Sequence, residues 1–129
     1  MTDRSKLLSL MTKRQSVSLM GARRALAAMI AQQRSAEALS QRLDALLEAR
    51  RQQAGASMNV AQLREHRRLN DQLAAEAERN RLHAQKLAAD VAKSVDELAK
   101  SDHKKRTLEE ATLAARITER SERDRKAEA

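Results

Sequence analysis

Ala54-Gly55-Ala56-Ser57-Met58-Asn59 is the convincing break in a chain whose other residues are all compatible with helix. Gly55 can adopt the left-handed conformation that ends a helix. Asn59 is a good N-cap for the next one, Gln62 stands where a capping-box partner belongs, and Ser57 competes as cap. Working outward, the break separates a helix of about residues 3–54 from one of about 60–125, with a turn at about 55–59. Gly21 lies inside the first helical pattern. It costs about 1 kcal/mol relative to alanine, which predicts a soft point and not a second turn.

Beyond the turn, the second helix declares its period. Alternate steps of three and four from Leu63 give His66, Asn70, Leu73, Ala77, Asn80, Ala84, Leu87, Val91, Ser94, Leu98, Ser101, Lys105, Leu108, Thr112 and Ala115. Nine of these sixteen positions are apolar and the phase never slips, which is the signature of a coiled-coil seam. Before the turn, a matching seam runs from Met29 through Gln32, Ala36, Leu39, Leu43 and Leu46 to Arg50. It continues backward through Ala25, Ala22, Leu19, Met11 and Leu8, with an irregular step between 15 and 22.

Folding the chain at the turn makes these seams face each other. Facing residues then have numbers adding to about 113, so Leu39 meets Leu73, Ala36 meets Ala77 and Met29 meets Ala84. Residues from about 113 onward are left without a partner. The expected fold is all-α: one long two-helix antiparallel coiled-coil hairpin spanning residues 1–129.

Composition agrees. There are 25 Ala and 17 Leu against 4 Val and 2 Ile, with no Phe, Tyr, Trp, Pro or Cys and only two Gly. Sheet folds and multi-turn bundles need aromatic bulk and turn residues that are missing here. Two distant glycines cannot build a phosphate-binding loop. The lack of cysteine excludes disulfides, zinc knuckles and thiol chemistry. No stretch is apolar enough to cross a bilayer, and no signal peptide is visible.

The net charge of +8 is uneven. Residues 1–34 carry seven basic side chains against Asp3, whereas residues 60–129 carry 16 basic and 14 acidic ones. That asymmetry points to an acidic partner for the N-terminal strip.

His66, His83 and His103 have no ligand spacing for a metal and are expected on the seam (His66) or the helix surface. A hairpin offers no cavity for a catalytic triad, so neither enzyme activity nor a cofactor is expected. The basic strip lacks the stacking aromatics of single-strand binders and any DNA-binding signature, which argues against nucleic acid. It could also lie on a membrane surface without insertion, or pass for a presequence. Leu69, Leu82, Val95, Leu113 and Ile117 lie off the seam, either as a broadened core stripe and scattered surface apolarity or as anchors for a partner protein.

This organisation resembles the FliJ/YscO family of flagellar and type III secretion export-apparatus stalk proteins. The likeness rests on the basic N-terminal segment with Ala22-Arg23-Arg24-Ala25-Leu26, the hairpin near Gly55, the stretch from Leu69 to Arg81, and the cluster from His103 to Glu110. The resemblance implies a non-enzymatic, chaperone-like antiparallel coiled coil in the cytoplasm, peripheral to the inner-membrane export apparatus. It implies binding to the hexameric export ATPase through the end where both termini meet. It also implies binding to the cytoplasmic domain of the export-gate membrane protein through early helix 2, where the matching positions are Leu69, Leu73, Glu76 and Asn80. Export chaperones are a further implied partner. For the ATPase ring, the cationic strip offers Arg14, Arg23 and Arg24. The family often carries an aromatic at the position of Leu69, and this chain has none. The rival reading is a parallel coiled-coil scaffold dimer or a basic nucleic-acid-binding helical protein.

Overall fold

The computed structural model describes residues 3–53 and 57–129. Two helices, α1 (Asp3–Gln53) and α2 (Val60–Glu128), make up almost all of it. They pack against each other as an all-α antiparallel hairpin. The proposed helix stop at Gly55 lies outside the described residues.

The start of α2 follows from side-chain chemistry. Asn59 Oδ1 accepts from the Gln62 backbone N–H at 2.8 Å, and Gln62 Oε1 accepts from the Asn59 N–H at 3.0 Å. This reciprocal capping box satisfies two orphan donors at once. The first helical bond, from Leu63 N–H to the Asn59 carbonyl, is 2.9 Å. Ser57 lies in the turn and does not cap.

Packing divides the chain into two compact units, residues 1–27 with 93–129 (the terminal unit) and residues 28–92 (the turn unit). In the turn unit Ala36, Leu43 and Leu87 are buried, together with Asn80. Asn80 Nδ2 donates to the Ala36 carbonyl at 2.9 Å, and an Arg50 guanidinium nitrogen stands 3.4 Å from His66 Nδ1. In the terminal unit Leu19 is buried to 1% exposure, with Ser5, Thr112 and Ala115 nearly so. Gln15 Nε2 donates to the Ser101 carbonyl at 3.3 Å.

These contacts correct the expected register. The pairs 36 and 80, 50 and 66, and 15 and 101 each add to 116, not 113, so the helices sit about one turn further along. Leu73 is therefore level with Leu43, and Leu39 with Leu73 is not a facing pair. The cause lies at the turn: Val60 to Glu65 are all exposed, and pairing begins only at His66. A sum of 113 would require facing pairs from the first residue of α2, without that free first turn and a half.

The α2 seam stands as expected, since every position named from His66 to Ala115 is buried or half-buried, although Leu63 is exposed. The α1 seam is half corrected. In the turn unit it runs Met29, Gln33, Ala36, Ser40, Leu43, Leu47, Arg50. In the terminal unit it runs Ser5, Leu8, Thr12, Gln15, Leu19, with Leu26 in phase. Met11, Ala22, Ala25, Gln32, Leu39 and Leu46 are exposed. The phase of the whole helix outweighs the apolarity of single side chains, and it is kept from Ser5 to Arg50, although Ala22, which stands in phase, is exposed. The α2 partnership also reaches past residue 113. Ser5 Oγ donates to Glu119 Oε2 at 2.8 Å, and the Ser5 N–H to Glu119 Oε1 at 3.3 Å. A carboxylate from α2 thus caps the positive N-terminal end of α1.

Candidate partner-binding surfaces

Hydrogen bonding accounts for much of the polar seam. Thr12 and Thr112 return their hydroxyls to the carbonyls of Leu8 and Leu108, at 2.9 and 2.7 Å. Arg50 Nε donates to Asn70 Oδ1 at 2.7 Å. His66 Nε2 is buried with no partner among the described residues. Grooves beside the seam are shallow and lie open along the surface, as beside Leu39, Asn80 and His83. Among the described residues no cluster of three His, Asp or Glu could hold a metal ion.

The four residues matched to the export gate do not share one surface. Leu69 is half-buried beside the seam, and Leu73 lies in it. Glu76 is exposed and pairs with Arg79. Asn80 is 9% exposed and bonded to α1, so it belongs to the core and not to a flank with Leu69 and Glu76. Offsets of seven residues keep Leu69 and Glu76 together, whereas eleven brings Asn80 onto the seam, because that spacing turns it toward α1.

The cationic strip is also more differentiated than its sequence suggested. Arg23 lies 3.6 Å from Asp102, which Arg106 also holds at 2.9 Å, so Arg23 is paired across the helices. Arg14 and Arg24 are exposed, with no ion pair among the described residues. On α2, by contrast, charges are tied locally in Glu65–Arg68, Glu76–Arg79 and Glu78–Arg81. The hydrogen bond from Arg68 holds the Glu65 carboxyl below its ordinary value and raises Arg68. Arg81 acts on Glu78 in the same way. Charge therefore nearly balances over residues 60–81, with five basic and four acidic side chains, and stays in excess on early α1.

Sequence reading missed a feature of the same segment. Leu7, Leu10, Val17 and Met20 are large, apolar and exposed, interleaved with those cations. The signal was present as a second three–four series, Lys6, Leu10, Lys13, Val17, Met20, Arg24, masked by the search for a single seam.

No helix among the described residues is long and apolar enough to cross a membrane. No family model matches the chain, and no curated protein or solved structure matches it.

Proposed function

We propose that this chain is a non-enzymatic stalk component of a flagellar or type III protein export apparatus, working in the cytoplasm at the inner membrane. The observation that supports the reading is an antiparallel hairpin whose terminal unit concentrates charge. Six basic residues (Arg4, Lys6, Lys13, Arg14, Arg23, Arg24) face Asp3 as the sole acid in residues 3–27. A hexameric ring closing round such a unit needs acidic lumen groups, which these cations would meet. The free guanidinium groups of Arg14 and Arg24 are the contacts in this reading, with Arg23 held back by Asp102. The export-gate domain docks on Leu69 and Glu76, and export chaperones are a further partner.

The test is capture of the cognate export ATPase. Arg14→Glu with Arg24→Glu should weaken capture roughly tenfold at low salt, and less as salt rises, because exposed charges are screened within about 10 Å at 0.1 M. Capture unchanged by reversal rejects the ring contact. Leu69→Asp should abolish gate binding while leaving the melting curve and ATPase capture near normal. A lower melting temperature with both partners lost together makes Leu69 a packing residue.

A further inference from the structure

The outward positions of α1 in the terminal unit are residues 6, 7, 10, 13, 14, 17, 20, 21 and 24. They hold four cations, four large apolar side chains and Gly21; the one acid in the same outward phase is Asp3, at the first residue of the helix. Leu10, Val17 and Met20 are 63%, 70% and 55% exposed. Lys6, Lys13, Arg14 and Arg24 have no ion pair among the described residues. The equivalent positions of α1 in the turn unit, residues 28, 31, 34, 35, 38, 41, 42, 45, 48 and 49, carry nothing apolar larger than alanine. Large apolar side chains leave the outward positions where the unpaired cations thin out, and the exposed leucines of α1 in the turn unit, Leu39 and Leu46, flank the seam instead. On α2 of the same terminal unit, Leu113 is 60% exposed and shares an open groove with Lys13, Arg116 and one acid, Glu109. Lys6 and Leu10 line the adjoining groove with that same Arg116.

We infer that this face of the terminal unit lies on an anionic lipid bilayer, α1 parallel to the surface, with Leu10, Val17, Met20 and Leu113 entering the acyl boundary. The argument is complementarity of charge and of form. Basic side chains spaced between apolar ones snorkel: their stems cover apolar surface while their heads reach phosphate. Cations outnumber acids on this face, where Asp3 stands at the helix start and Glu109 is paired with Lys105, so attraction to an anionic headgroup plane prevails. An open helix flank suits a plane better than a pocketed partner does. A second copy of the chain would bring cation against cation. The inference goes beyond the stalk reading and does not depend on it.

The experiment is co-flotation of the full chain with vesicles of phosphatidylcholine, with and without phosphatidylglycerol. Partition should require phosphatidylglycerol. Lys6→Gln with Lys13→Gln should lower it on the order of twentyfold. Leu10→Ser with Val17→Ser, both solvent-facing, should lower it at least roughly tenfold with helicity unchanged by circular dichroism. Leu113→Ser, on the other helix, should lower it in the same direction and guards against a local effect on α1. Absence of partition into anionic vesicles overturns the inference. So does partition that the charge variant abolishes and both serine variants leave intact, which is adsorption by charge alone. Binding to an acidic amphipathic peptide in place of vesicles would assign the face to a protein. ATPase capture, measured separately, tests the stalk reading, which the vesicle outcomes do not decide.

Discussion

A β-carbon added at Gly21 would meet no atom within 4 Å, and the glycine sits exposed in an unbroken helix. Gly21→Ala should therefore raise stability by about 0.5–1 kcal/mol, since it removes only backbone freedom from the unfolded chain. Thermal melting followed by circular dichroism measures it, and a fall would mean that the position is occupied in some other state. Asn59 is the opposite case, a side chain whose loss leaves donors bare. Asn59→Ala should cost about 1 kcal/mol, whereas Ser57→Ala should be nearly neutral because Ser57 caps nothing. Equal effects at the two positions would contradict the capping box.

At the scale of the helices, acid separates two kinds of support. Glu65 and Glu78 titrate below the ordinary value of 4.5 in the folded chain. Their contribution is whole above 4.5 and disappears as pH falls through their lowered folded values. Both groups are fully exposed, so the loss should be small, and it should shrink further in salt. A melting temperature that changed between pH 6 and pH 8 could not come from these pairs. The same scale explains what was readable beforehand. The α2 seam was legible because leucines recur at Leu73, Leu87, Leu98 and Leu108 in one unbroken phase. The α1 seam was only half legible, because Leu39 and Leu46 advertise apolarity at positions one step from Ser40 and Leu47. Phase along the whole helix, which no single residue displays, decides between them. The turn was legible as a break, but the register was not, since it depends on how much of α2 precedes the first facing pair. Among the surface candidates, Asn80 stood both in the α2 seam series and among the gate-matched positions, and burial against α1 decides for the seam. Spacing alone could not say which cations are already paired, as Arg23 is by an acid 79 positions away in the chain.

For the molecule as a whole, the hairpin and the parallel dimer differ in which residues come level. Cysteines at Leu43 and Leu73 should be joined within one chain by a short bifunctional thiol reagent, even at high dilution. Cysteines at Leu39 and Leu73 should be joined more slowly. Products that vanish on dilution would establish a dimer. Asn80 contributes to this uniqueness, because its amide has one carbonyl to reach, that of Ala36. Asn80→Leu should raise the melting temperature, as apolar replacements of buried polar seam residues commonly do, while blurring the cross-linking preference for Leu43.

The unbroken three–four alternation of α1 and α2 also bears on how such a chain can change length over generations. One residue inserted within either helix rotates everything beyond it by about 100°, which carries Ser5 or Thr112 out of the seam and brings a charge into it. Seven residues restore the facing side but displace the level of every later pair. Inheritable changes in length are therefore restricted to sevens, added to both arms at matching heights. Relatives of this protein should differ in length by about fourteen residues at a time, with the insertions symmetric about the turn.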